Sequence, residues 1–272
     1  MSVIQIDGLV RDYRDGKGVF DVSFHVEQGE AFGFLGPNGA SKTTTIRHLM
    51  GFLRPKSGKC TINGLDSWSE RDKVQLRLGY IPGEISFFDD MSGTEFLKFI
   101  TRYRRVGKEN RQKELLDRFE LDPKGKIKKM SKGMKQKIGI VAAFIHDPDI
   151  LILDEPTSGL DPLMQSRFID LIAEEKERGK TVLMSSHIFE EVERTCNRIG
   201  IIRQGRMVVV DSAAALRERH THQYTVTLES EAAAEAFAED FSGVCEGLCV
   251  TVTTKQSLEE IFMDYYGGGK HD

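Results

Sequence analysis

Residues 33–52, GFLGPNGASKTTTIRHLMGF, set an apolar strand-like run, a glycine-rich turn and a helix-like run back to back. No other stretch constrains the fold as much. Successive backbone N–H groups in such a turn converge on a concavity that holds phosphate oxygens, and the helix that follows presents its N-terminal donors to the same place. The turn follows G-x-x-x-x-G-K-[ST] at every position but one, because Ser41 stands where the last glycine is expected. Gly36, Pro37, Asn38, Gly39, Ala40 and Ser41 form the phosphate cradle, and Thr44 follows the motif into the helix. Lys42 is placed to reach the β- and γ-phosphates, and the Thr43 hydroxyl to ligate Mg²⁺. Ser41 keeps its backbone N–H. A positive φ would cost it about 1 kcal/mol or more, but its place at the helix start predicts helical backbone and little strain.

The runs FDVSFHV, EAFGFLG, LGYIP, DILILDE, TVLMSS and IGIIRQG recur along the chain up to about Asp211, with helical spacing between several of them. Buried apolar runs alternating with helices predict a mainly parallel sheet covered on both faces, with ligands at the carboxyl ends of its strands. From Met91 to Lys129 the apolar residues Phe96, Leu97, Phe99, Ile100, Leu115, Leu116 and Phe119 keep helical spacing with no strand among them, which predicts a helical insertion. Beyond His222 the pattern changes. QYTVTLES and GLCVTVTT alternate with a period of two, AAAEAFAEDF reads as a helix, and SLEEIFMDYY sets Leu258, Ile261, Phe262 and Tyr265 on one helical face. A small β-α-β-α appendage is expected there. No internal repeat appears, so one nucleotide site per chain is expected.

Two further strand ends carry chemistry. ILILDEP ends in Asp154, suited to the Mg²⁺ shell, and Glu155, suited to orient or deprotonate an attacking water. TVLMSS runs into His187, which can contact a γ-phosphate; a lone histidine is more often structural, and its place at this strand end is what raises it above that.

The segments GPNGASKT, MSKGMKQK, ILILDEPTSGLD and SSH occur in the order and spacing of one family, and residues 1–215 resemble the ATP-binding subunit of an ABC transporter. The resemblance implies an α/β P-loop NTPase fold: a mainly parallel sheet core with an antiparallel β subdomain and an inserted helical subdomain at about 91–140. The small C-terminal α+β appendage then occupies 222–272. Ser131, Lys132 and Gly133 fall on the signature whose helix caps the γ-phosphate bound by a partner subunit. Ser158, Gly159, Leu160 and Asp161 fall on the D-loop, and Tyr13 on the adenine-stacking aromatic. Implied with them are ATP, Mg²⁺, a homodimer or heterodimer of ATPase subunits, and a separate transmembrane permease. The appendage resembles the branch that serves separate permeases, often exporters of drugs or antimicrobial peptides.

Two more departures from the family pattern stand beside Ser41. Lys132 replaces a signature glycine, which leaves the backbone donors in place and adds a cation attractive to phosphate. Gly83, in GYIPGEISFFDD, replaces the glutamine that touches Mg²⁺ and water in the family; either Glu84 takes over as ligand or the contact is missing. Phe87 and Phe88 beside it suit either core or a permease-facing surface.

Composition excludes little but agrees. A net charge of −4 gives no reason to expect nucleic acid as a partner, and the run Lys124, Lys126, Lys128, Lys129, Lys132, Lys135 and Lys137 reads as a solvated basic face. Cys60, Cys196, Cys245 and Cys249 lack paired spacing and suit a reducing compartment. No leader is expected before VIQIDGLV, and no apolar stretch approaches the roughly 18 residues of a membrane span, so action at a membrane is expected to run through another chain, on the cytoplasmic face. The expectation is an active Mg²⁺-ATPase powering a transporter. Its rivals are a degenerate subunit that binds ATP with little turnover and a nucleic-acid or ribosome-associated ATPase of the same superfamily.

Overall fold

The computed structural model describes residues 2–88, 90–106, 109–219, 221–255, 260, 261 and 263. The chain forms two compact units, residues 1–210 and 211–272. It opens with β1 (Ser2–Asp12), β2 (Gly18–Glu27), β3 (Ala31–Leu35), α1 (Lys42–Leu49), β4 (Ser57–Ile62), β5 (Leu65–Asp66), α2 (Arg71–Leu76) and β6 (Leu78–Ile81). The helical insertion holds α3 (Gly93–Tyr103), α4 (Glu109–Arg118) and the start of α5 (Lys132–Phe144). Then come β7 (Ile150–Asp154), α6 (Pro162–Glu177), β8 (Thr181–Ser186), α7 (Phe189–Thr195), β9 (Arg198–Arg203) and β10 (Arg206–Ser212).

The first unit contains two sheets, with strand orders β2-β1-β4-β5 and β10-β9-β3-β8-β7-β6. In the six-stranded sheet β3 pairs in parallel with β8 and β9, and β7 with β6 and β8. Every residue of β3, β7 and β8 is buried, as expected of central strands covered on both faces. The other sheet is antiparallel along β2-β1-β4-β5, and β2 alternates buried and accessible residues, so FDVSFHV belongs here and not to the parallel sheet. One apolar core joins the two sheets and α1: Phe24 stacks on Phe32 at 5.0 Å between ring centroids, with Ile4, Val22, Phe34 and Ile46 around them.

Sharp boundaries position the insertion. Ser92 caps α3 in a capping box with Glu95, closed by hydrogen bonds in both directions. Leu97, Leu115 and Phe119 are buried, while Phe88, Phe99 and Tyr103 leave an exposed aromatic ladder with centroids 6.1 and 6.2 Å apart.

The second unit contains α8 (Ala213–Arg219), β11 (Thr221–Thr227), α9 (Glu231–Asp240), β12 (Val244–Glu246) and β13 (Cys249–Lys255). Its sheet is antiparallel, ordered β11-β13-β12, with α9 packed on β12 and β13. The expected two strands are therefore three, since β12 is too short to show alternation. Of the last helical face, Ile261 is buried, and Leu258, Phe262 and Tyr265 lie outside the described residues. Among the described residues no helix is long and apolar enough to cross a membrane.

Candidate functional site

Register brings the chemistry together. Leu35 lies opposite Ser186, and Asp154 opposite Ser185, so the carboxyl ends of β3, β8 and β7 stand side by side. From these ends rise the phosphate turn, Glu155 and His187. Lys42, buried at the first turn of α1, donates to the carbonyls of Gly36 and, at 3.3 Å, Pro37. Its Nζ also lies 3.1 Å from Glu155 Oε1, an ion pair at a distance that its alignment does not make a hydrogen bond. Glu155 Oε2 is 2.6 Å from His187 Nδ1. Glu155 is held at φ 49°, a left-handed conformation rarely adopted by residues with a side chain, and its N–H donates to Ser185 Oγ at 3.1 Å.

Ser41 overturns the expectation of a relaxed helix start. Its φ is 80° and ψ 22°, the left-handed region, so the backbone bears a strain of about 1–2 kcal/mol that glycine would avoid. Ser41 stands at the N-cap of α1, where its carbonyl accepts the Thr45 N–H at 3.0 Å. Its hydroxyl, which glycine lacks, donates to the Gly18 carbonyl at 2.6 Å and ties the turn to β2.

The carboxylate Asp154 divides its two oxygens. Oδ1 accepts the Ser185 hydroxyl at 2.5 Å, whereas Oδ2 is buried without a hydrogen-bond partner. A Cβ built on Gly83 would stand 3.0 Å from that Oδ2 and 3.6 Å from Thr43 Oγ1. An uncommitted carboxylate oxygen and a hydroxyl thus meet at one point, and this all-oxygen set fits a hard cation such as Mg²⁺. Glu84 is exposed and makes no hydrogen bond or ion pair with Thr43 or Asp154.

The signature residues sit on the same unit. Ser131 caps α5, accepting the Met134 N–H at 3.2 Å, and Asp161 caps α6, accepting that of Met164 at 3.0 Å. Lys132 Nζ donates to Ser158 Oγ at 3.0 Å, and a Cβ on Gly133 would come 2.8 Å from the Gly159 carbonyl oxygen. The signature turn and the D-loop segment therefore touch within one chain. Five of the seven lysines of the basic run are exposed, and Lys135 and Lys137 are half-buried. Tyr13 is exposed, with the Arg11 guanidinium over its ring, 5.4 Å from the centroid.

Sequence reasoning missed Glu191. It is buried on α7, and its two oxygens accept the hydroxyls of Thr157 and Ser186; burial pushes its carboxyl pKa up, and those two hydrogen bonds oppose the rise. No signal in the sequence set it apart: it stands beside Glu190 on a short helix that begins only at Phe189.

A phosphate turn flanked by two strand-end carboxylates and a histidine defines a P-loop nucleotide-binding site. Residues 19–158 match the family model described as ABC transporter. An uncharacterized ABC transporter ATP-binding protein of Synechocystis is 39% identical over 227 residues, which cover 78% of this chain and 64% of that protein. The linearmycin resistance ATP-binding protein LnrL of Bacillus subtilis is 35% identical over 86% of this chain and 77% of its own. A solved structure of an ATP-binding subunit of an ABC transporter superposes with a TM-score of 0.72 at 30% identity, covering 80% of this chain and 93% of that one. The chain belongs to the ATP-binding subunits of ABC transporters, whose cassettes bind and hydrolyse ATP, dimerise, and pair with transmembrane subunits.

Proposed function

We propose that this chain is a working Mg²⁺-dependent ATPase that powers export through a separate permease, seated peripherally on the cytoplasmic face of the membrane. One observation carries hydrolysis: a single carboxylate, Glu155, lies 2.6 Å from His187 Nδ1 and 3.1 Å from Lys42 Nζ, beside the phosphate turn. Lys42 would exchange the Gly36 and Pro37 carbonyls for phosphate oxygens. Glu155 would orient the attacking water and take its proton, and His187 would steady that carboxylate and meet the γ-phosphate. Thr43 and Asp154 would hold Mg²⁺, with Glu84 approaching from the exposed loop. A bound Mg²⁺ would offset phosphate charge at the γ-position. Tyr13 would stack on adenine.

Two copies, identical or different, would close head to tail so that Ser131, Lys132, Gly133 and Asp161 of each face the nucleotide of the other. Residues 1–215 would form the ATP-binding domain and 222–272 an accessory domain. The ladder of Phe88, Phe99 and Tyr103 suits a permease contact on the helical insertion, and the resistance function in the name of LnrL supports export. No nucleic acid is expected. The test is ATP hydrolysis by the full chain: turnover should fall about 100-fold or more in Glu155→Gln, with ATP still bound. The strained Ser41 and bare Gly83 favour the second reading, a subunit that binds ATP with little turnover; a wild-type chain that binds but does not hydrolyse would establish it.

A further inference from the structure

We propose that Glu191 is a positioning residue for hydrolysis, holding the loops that carry Glu155 and His187 in one fixed relation. Its Oε1 accepts the Thr157 hydroxyl at 2.5 Å and its Oε2 the Ser186 hydroxyl at 2.8 Å. Thr157 lies two residues after Glu155, inside the turn closed by the Ser158 N–H on the Glu155 carbonyl at 3.1 Å; Ser186 immediately precedes His187. Ser186 Oγ also accepts the Ile188 N–H at 2.9 Å, so one carboxylate pins both sides of His187 and the far side of the Glu155 turn. Thr157, Ser186 and Glu191 are all nearly fully buried.

Stability alone does not account for this arrangement. A carboxylate buried against hydroxyls is a poor substitute for an apolar contact, whereas a fully satisfied polar network fixes one geometry. That geometry is needed, because Glu155 sits at φ 49° and such backbone persists only where its surroundings over-determine it. Glu191 touches neither Glu155 nor His187 through a hydrogen bond, so it acts through Thr157 and Ser186.

This rests on Glu155 and His187 being the hydrolytic pair. The test is kcat, KM and equilibrium ATP binding for the full chain and for Glu191→Ala, Glu191→Gln, Thr157→Val, the Glu191→Ala/Thr157→Val double variant, and Glu155→Gln. Glu191→Ala and Thr157→Val should each lower kcat about 10-fold or more, since small misplacements of reacting groups are amplified in rate. KM and ATP affinity should stay within about threefold. Glu191→Gln, which keeps the shape and the polar reach, should recover most of the rate, and the double variant should be no slower than Glu191→Ala. Unchanged kcat in Glu191→Ala, or parallel loss of kcat and ATP affinity in both single variants, overturns the proposal. If Glu191→Ala does not fold, Thr157→Val, which deletes one hydroxyl, decides by the same criteria. Full turnover in Glu155→Gln would overturn the reading of the pair, whatever the Glu191 variants do.

Discussion

Ser41 Oγ donates to the Gly18 carbonyl at 2.6 Å from a backbone held at φ 80°. Two effects oppose each other there: strain of about 1–2 kcal/mol and a hydrogen bond worth about 0.5–1.5 kcal/mol. Ser41→Gly should therefore leave thermal stability nearly unchanged and ATP affinity equal or tighter. Ser41→Ala keeps the strain and loses the bond, so its melting temperature should fall by about 2–4 °C. A marked loss of ATP affinity in Ser41→Gly would show that the serine side chain serves the nucleotide directly.

At Gly83 the prediction concerns the metal. A methyl there would press on Asp154 Oδ2 at 3.0 Å. Gly83→Ala should raise the Mg²⁺ concentration for half-maximal turnover about 10-fold, in the range of changes that displace a ligand. Glu84→Ala should raise it as well if the exposed carboxylate completes the shell. An Mg²⁺ titration that Glu84→Ala leaves untouched removes Glu84 from the ligand set.

His146 gives the pH dependence. Burial first, then Arg104, push its pKa down to about 4, and its Nε2 faces the Leu78 carbonyl at 3.2 Å. The folded state thus keeps the imidazole neutral where an unfolded one, near 6.5, takes a proton. Its contribution to stability is intact above about pH 6.5 and is lost as pH falls toward 4. His146→Gln should flatten the decline of melting temperature between pH 7 and 5, while His48, shifted the same way, keeps its own contribution and Glu191, shifted up, opposes it. Identical slopes for the variant and the parent would assign the decline elsewhere.

Lys132 tests the signature. Its bond to Ser158 is exposed, so Lys132→Gly should change the melting temperature by only about 1 °C. In a Glu155→Gln background it should weaken ATP-dependent self-association about fivefold, through loss of a cation near phosphate. Sedimentation with and without ATP reads this directly, and unchanged association would confine Lys132 to its contact with Ser158.

The placement of the phosphate turn, Asp154, Glu155 and His187 at neighbouring strand ends was legible because apolar runs mark where strands end. Ser41 was misread because a helix start and a left-handed residue before a helix look alike in one dimension. Glu191 reads beside Glu190 as one more acid on a short helix; only the folded position of Thr157, 34 residues earlier, reveals it as buried. In the second unit β12 escaped because three residues cannot display a period of two.

The strand that carries the phosphate turn has a further consequence for how the protein is made. β3 finds its partners only in β8 and β9, more than 140 residues later in the chain. At 5–20 residues per second, the 145 residues from Lys42 to His187 (187 − 42) take roughly 7–30 s to emerge from a ribosome. Through that interval Phe32 and Phe34, both fully buried in the finished sheet, have no strand to lie between. The nascent chain therefore displays a phosphate-binding sequence before it has acquired either His187 or the strands that hold the loop in shape. Completion of the ATP site therefore waits on β8 and β9.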